Sequence, residues 1–172
     1  RLAHNPAGGR SAYSFCMCPG GMVVPAQHEP ETNVVNGMSF AARRAVWANS
    51  AVIVQVSAAD YGATDPRAGQ RFQDAIERAA WKLTGSYAAP AQRVDDFLAD
   101  RESQELPRSS YPFGLTPLDL RALLPSVVID GMKGALLAFD QKIPGFASAA
   151  GVLIAPETRT TSPLRFLRGP NH

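Results

Sequence analysis

The stretch that decides the fold is 11-SAYSFCMCPGGMVVP-25, near the start of the chain. From Ser11 to Cys18 large apolar side chains alternate with small ones, a period of two that is typical of a half-buried β-strand. Gly20 and Gly21 tolerate the positive φ angles of a tight turn, so they predict a hairpin. Residues 22–24 then form the returning strand, which Pro25 limits.

The same stretch contains the only two cysteines of the chain, Cys16 and Cys18. On an extended strand their side chains share one face, with Cα atoms about 6.6 Å apart, near the upper limit for an unstrained disulfide. Three uses of the thiols stay open: a strained redox pair, half of a metal site, or small side chains packed where a cofactor or another domain approaches. The local sequence favours packing, because no basic residue closer than Arg10 would acidify a thiol.

Further short strands follow. Asn36 and Gly37 form a favoured turn pair in front of residues 38–40. Residues 51–56 are a β-rich apolar run and are predicted to be a central strand. The first third of the chain is therefore predicted to be an antiparallel meander.

The middle of the chain is helical. Asp65 is a capping residue and Pro66 occupies the first position of a helix that Gly85 ends. Apolar residues recur at spacings of three and four, and charged residues are predicted on the opposite, solvated face, namely Arg71, Asp74, Glu77, Arg78 and Lys82. A shorter helix is predicted over residues 93–99.

The last third mixes helices and strands. Residues 116–119 resemble a capping box that opens a short helix ending at Pro125. A helix is predicted from about 126 to 142, in which Gly131 and Gly134 indicate close packing.

Two more strands are predicted at residues 152–154 and 163–168. Together the patterns predict an α+β fold in which an antiparallel or mixed sheet of short strands is packed by three or four α-helices. Residues 1–172 are predicted to form a single domain.

Composition narrows the class of protein. The chain has 172 residues, 45% of them hydrophobic, and a formal net charge of +2 with scattered basic residues. We therefore expect no nucleic-acid partner. No apolar run approaches the roughly 20 residues that span a bilayer, so no membrane partner is expected. Two closely spaced cysteines suit the reducing cytoplasm.

Cofactor, metal and substrate motifs are few. No glycine-rich dinucleotide or phosphate fingerprint opens a helix. His4, His28 and His172 have no spacing that forms a ligand set with the cysteines, so no metal site is predicted.

The most polar uncharged cluster is Thr158–Ser162, which with Arg159 and Arg165 would suit an anionic or carbonyl substrate. The alternative is a connection whose hydroxyls cap the backbone. The residues alone leave both interpretations open.

Five motifs occur in one order along the chain and together carry a resemblance. They are Phe15–Gly21, Val35–Ser39, Ala48–Ala51, Ala89–Val94 with Asp96–Leu98, and Glu157–Pro163. In this order they resemble the uncharacterised FAD-dependent dehydrogenases, flavoproteins of the two-dinucleotide-binding-domain superfamily. The resemblance covers nearly the whole chain, from Tyr13 to Arg168.

The resemblance implies that the chain is the middle, insert or substrate, domain of a longer oxidoreductase, with residues 158–172 leading back to an FAD-binding domain of the same polypeptide. A start at Arg1 and a predicted strand close to His172 are consistent with such a piece. FAD is then expected in the full-length protein and not in this fragment, which should be inactive alone. The substrate is an unknown small molecule, and no catalytic residue is assigned.

The resemblance also implies which residues face the flavin or substrate. These are Cys16, Cys18, Gly20, Gly21, Asn36, Gly37, Arg159, Thr160 and Ser162. Two other functions stay open from the residues: a non-enzymatic binding module, and a thiol redox or metal protein that uses Cys16 and Cys18.

Overall fold

The computed structural model describes residues 1–62, 65–164 and 167–169. Within them the fold is α+β, as predicted, with two small sheets and four α-helices. In chain order the elements are β1 (Ala3–His4), β2 (Ala12–Pro25), β3 (Val35–Ser39), β4 (Trp47–Val54), α1 (Ala58–Tyr61), α2 (Ala68–Thr84), β5 (Ala89–Arg93), α3 (Val94–Leu98), β6 (Leu115–Pro117), a 3₁₀ turn (Leu120–Ala122), α4 (Ser126–Lys142) and β7 (Val152–Ile154).

The first sheet is built around β2. β1 and β3 pair with its two ends and β4 pairs along its other edge, all antiparallel. In the part of the chain that the structure describes, β4 pairs only with β2, so the prediction of a central strand over 51–56 was wrong in position. The central strand is β2, because its 14 residues are long enough to serve three partners.

No hairpin forms at Gly20 and Gly21, which corrects the prediction. β2 continues through both glycines, and its register with β4 shifts between Phe15 and Cys18 and again between Cys18 and Gly21. These shifts are β-bulges, which use the positive φ of Gly20 (62°) and of Cys16 (45°). A glycine pair that permits a turn also permits a bulge, and the pairing of both edges of β2 selects the bulge.

The bulge also separates the two thiols. Cys16 is exposed and Cys18 is buried, and both are free. They therefore do not share one face of a regular strand, as the period of two predicted. Asn36 and Gly37 likewise lie inside β3, paired with β2, and not in a turn.

The second sheet has the order β6-β5-β7. β5 is parallel to β6 and antiparallel to β7, so the sheet is mixed. The 116–119 segment contributes to β6, and the cap of the following 3₁₀ turn is Asp119, whose carboxylate accepts a hydrogen bond from the Arg121 N–H. The capping box predicted at Thr116 was therefore displaced by three residues.

Three α-helices lie close to their predicted ranges, but the predicted start of α2 was wrong. α2 begins at Ala68 with Arg67 as its N-cap, so Asp65 and Pro66 precede the helix, and the short helix α1 was not predicted. α2 ends at Gly85 in a left-handed conformation, α3 lies within 93–99, and α4 spans 126–142. A Cβ atom at Gly131 would lie 2.6 Å from Val54, and one at Gly134 would lie 3.1 Å from the His4 ring, so both glycines permit close packing of α4 on the first sheet.

The main core forms where α4 meets α3 and the 3₁₀ turn. Its largest fully buried side chains are Phe97, Phe139, Leu120 and Leu136. β7 confirms the strand predicted at 152–154. Arg165 and Phe166, at the centre of the strand predicted over 163–168, lie outside the described residues.

Candidate functional site

A cleft of about 1380 Å³ opens among the described residues. β4 forms one wall, and parts of α2, α4 and β7 with residues 155–161 form the others. Most lining side chains are apolar. Such a cavity with few polar groups is typical of sites for small molecules and cofactors.

Three of the residues that line this cleft are Cys18, Asn49 and Glu157. Cys18 on β2 is the register partner of Asn49 on β4, and both line the cleft. Glu157, which follows β7, lines it as well and is close enough for its charge to act on the Cys18 thiol. The cluster therefore joins three segments that are far apart in sequence.

Asn49 is held by two glycines. A Cβ atom at Gly37 would lie 2.1 Å from the Asn49 Oδ1, and one at Gly21 would lie 3.0 Å from its Nδ2. Both positions therefore need glycine so that the carboxamide can lie between β2 and β3. Its Nδ2 and Oδ1 are buried and have no hydrogen-bond partner among the described residues.

An unpaired buried amide is costly, because its donor and acceptor have lost water without a replacement. The Asn49 carboxamide therefore holds one unused donor and one unused acceptor side by side. Native structures keep few such groups, and each calls for an explanation such as strain, a catalytic role, or a bound water or ion.

Glu157 is the second unusual polar group. It is half-buried, and burial raises the pKa of its carboxyl from 4.5 to about 7. Burial also raises the pKa of the Cys18 thiol, with smaller contributions from Cys16 and from the charge of Glu157. Near neutral pH the cleft thus holds a protonated thiol beside a carboxyl that is present in both forms.

A separate ion-pair cluster lies on α2. Glu77 is 0% exposed and accepts hydrogen bonds from Arg159 Nε at 2.6 Å and Nη2 at 2.8 Å, and from the Thr158 hydroxyl. Arg159 also pairs with Asp74 at 2.7 Å. This cluster fastens the segment after β7 to α2.

His28, Asp74 and Glu77 are close enough to one another to be considered as metal ligands. Arg159 already donates to both carboxylates and lies 3.4 Å from the His28 ring. The guanidinium supplies the positive charge that a cation would bring, so the arrangement is satisfied as an ion pair.

The predicted site residues divide into two groups. Cys18, Gly37 and Thr160 line the cleft, and Gly21 supports Asn49. The others do not line it: Cys16 is exposed, Gly20 packs against the Arg43 carbonyl, Asn36 is exposed on β3, Arg159 is paired with α2, and Ser162 bonds Leu164. Whether any of the nine contacts a ligand stays a prediction.

Sequence reasoning missed three residues. Asn49 and Glu157 stand inside two of the quoted motifs, where the mixture of one polar side chain with small or apolar neighbours was the available signal. Glu77 was placed on the solvated face of its helix, and the structure buries it. No local pattern signals that burial, because its partner Arg159 is 82 positions away.

The quoted motifs converge on one region. Four of them supply Cys18, Gly37, Asn49 and Glu157, and the fifth supplies Val94 to the same cleft.

In the described ranges, no helix is long and apolar enough to cross a membrane.

Comparison with known proteins identifies the family. Residues 1–160 match the family described as FAD-dependent protein, C-terminal domain-like. An uncharacterized protein from Clostridium beijerinckii is 44% identical over 162 residues, which are 92% of this chain and 30% of the relative. The chain thus spans less than a third of that relative's length. The chain belongs to the FAD-dependent protein, C-terminal domain-like family.

Proposed function

We propose that this chain is the substrate-side domain of a longer FAD-dependent oxidoreductase, in which the cleft covers the flavin ring and shapes the substrate pocket. The observation that carries the proposal is the convergence of the quoted motifs on a cleft that contains an unpaired carboxamide. Family membership supports FAD in the full-length protein. The place of the domain in the middle of that polypeptide stays a prediction.

The cleft residues fit the ring end of FAD. An isoalloxazine ring is flat and largely apolar, with N–H and C=O groups along one edge. The apolar cleft walls suit its faces, and the donor and acceptor of Asn49 suit that edge. When bound, FAD supplies two-electron oxidation or reduction, and the protein supplies binding, orientation and electrostatics.

The phosphate end of FAD needs residues from elsewhere. The glycines that a phosphate cradle would use have other roles here, since Gly20 forms a bulge and Gly21 and Gly37 make room for Asn49. We infer that the pyrophosphate is held by the FAD-binding part of the same polypeptide. The chain by itself should then bind FAD weakly and show no turnover.

An exposed apolar surface favours such a partner. Met38, Phe40 and Val46, at one end of the first sheet, are 55%, 56% and 86% exposed. Phe15, Met17 and Trp47 on the same sheet are also at least 40% exposed. Contiguous exposed apolar residues mark contact sites, and we propose that the FAD-binding part packs here.

The test uses the full-length protein with Asn49→Leu and, as matched control, Asn36→Leu. Asn36 is exposed and outside the cleft. We expect the unchanged protein and the Asn36→Leu variant to be yellow with bound FAD, and the Asn49→Leu variant to lose at least half of it. Released flavin is quantified against protein.

A correctly folded, flavin-free full-length protein would falsify the proposal and favour a non-enzymatic binding module. Loss of flavin from the Asn36→Leu variant alone would indicate that the flavin contacts β3 and not the cleft. Equal flavin in all three proteins would remove Asn49 from the binding site.

A further inference from the structure

Glu157 is the one carboxyl group that lines the cleft in the described parts of the chain. The polar groups of the next two residues are engaged elsewhere, since the Thr158 hydroxyl and the Arg159 guanidinium both donate to Glu77. Among residues 1–62, 65–164 and 167–169, no cation pairs with Glu157 and no N–H or O–H donates to it. Its carboxyl is thus available to a ligand.

The surroundings keep both forms of this carboxyl accessible. Burial places its pKa at about 7, so gaining or losing a proton costs little at neutral pH, as a general acid or base requires. Burial is the cause of the Glu157 shift, and the Cys18 thiol, on which the charge of Glu157 acts, has a raised pKa and keeps its proton. Arg108 also lines the cleft, and Arg159 is committed to Glu77 and Asp74.

We propose that Glu157 exchanges a proton with an alcohol or amine substrate bound in the cleft. In the forward direction the O–H or N–H bond of the substrate breaks and an O–H bond forms on the Glu157 carboxylate. The reverse step returns that proton. One proton moves, and no electron passes to or from this chain.

For the redox half of the reaction, this inference rests on the proposed function. It adds to that function the proton carrier, Glu157, and the substrate class. The substrate class follows from the chemistry of such an oxidation. An alcohol becomes a carbonyl, and an amine an imine, by losing a proton from oxygen or nitrogen and a hydride from the adjacent carbon. The flavin is the electron acceptor of that class of reaction.

The first test needs no turnover. In this chain, labelled with ¹³C at the glutamate carboxyl groups, resonances are followed from about pH 4 to about pH 9, a range that brackets both carboxyl values. We expect one resonance to titrate near neutral pH, to disappear in Glu157→Gln, and to persist in Glu102→Gln, which removes an exposed glutamate. If every glutamate titrates in the ordinary acidic range, the inference is wrong and the proposed function stands.

The second test uses the full-length protein with bound FAD. The reduction potential of the flavin is measured against pH by titration with a chemical reductant. Because a nearby group that changes its proton occupancy is linked to reduction, we expect the slope to change near the Glu157 midpoint. That change should be absent in Glu157→Gln and present in Glu102→Gln.

The outcomes separate the two claims. Identical curves in the unchanged protein and Glu157→Gln, both loaded with flavin, overturn the inference alone. A flavin-free protein overturns the proposed function and the inference that rests on it.

Discussion

Glu77 and Glu157 are two carboxyl groups of one molecule with opposite environments. Glu77 is completely buried, and Arg159 and Thr158 donate to its oxygens. Glu157 is half-buried in the cleft and has no such partner in the described residues. The more deeply buried group is therefore the structural one, because its charge is compensated. The less buried group keeps a perturbed pKa, which is what a reactive carboxyl requires.

The largest expected effect comes from removing the partner of Glu77. Arg159→Met leaves a buried carboxylate without its cation, and we expect a loss of about 3 kcal/mol in the free energy of unfolding. Arg78→Met, at an exposed position of α2, breaks an exposed pair with Glu29 and should cost less than about 1 kcal/mol. Urea unfolding measures both. Equal losses would mean that the two ion pairs do not differ in energy.

The next effect applies the same comparison to two asparagines. Asn33 is 0% exposed and its Nδ2 donates to Thr84, Ser86 and Ala88, although its Oδ1 has no partner in the described chain. In Asn49 neither Nδ2 nor Oδ1 has a partner there. Asn33→Leu should cost about 2 kcal/mol, whereas Asn49→Leu should stabilise the fold by about 1 kcal/mol, because it removes a buried amide that has no hydrogen-bond partner in the described chain.

Thermal and urea unfolding of the two variants provide the measurement. A large loss in the free energy of unfolding of Asn49→Leu would show that the amide is hydrogen-bonded within the fold. That result would contradict its role as a ligand contact.

A smaller, pH-dependent effect is expected for Glu157→Gln. The folded-state pKa of about 7 is above the ordinary 4.5, so the folded state binds more protons between these values and its stability declines as pH rises through them. Glutamine imitates the protonated carboxyl and removes that decline. After allowance for solvent at a partly exposed group, we expect the variant to equal the unchanged protein near pH 4 and to be about 1 kcal/mol more stable near pH 8.

Urea unfolding at both pH values measures the difference, and Glu102→Gln is the control, expected to follow the unchanged protein. A gain that is the same at both pH values would contradict the raised pKa.

The smallest effect concerns the thiols. Burial is the largest cause of the raised pKa of Cys18. The charge of Cys16 is the second cause, and the charge of Glu157 is the third. Cys16→Ser should therefore lower the pKa of Cys18 slightly without restoring its ordinary value. The rate of Cys18 alkylation against pH reports this shift, and an unchanged or raised pKa would show that the two thiols do not interact.

The helices were predictable because their signals are local. The apolar spacing of residues 68–84, the αL glycine after it and the run over 126–142 all lie within a few turns of the chain. The strands were less predictable. Gly20 and Gly21 allow both a hairpin and a bulge, and only the partners on both edges of β2 decide between them.

The lining of the cleft could be predicted only in part, because it depends on how the strands pair. Each of the five motifs contributes at least one residue to the cleft lining, and of the predicted site residues on the first sheet Cys18 and Gly37 line it. The motifs did not show which side chain of each segment faces inward. That depends on the bulge at Cys16, which changes the alternation of faces along β2.

By itself the sequence determined the α+β class, the approximate ranges of α2, α3 and α4 and, through motifs in one order, membership of an FAD-dependent family. These depend on periodicity and on residue identity, which are properties of the chain alone. Tertiary structure decided which polar groups are compensated, because compensation depends on partners far apart in sequence. Arg159 reaches Glu77 across 82 positions, and Glu157 remains for the cleft.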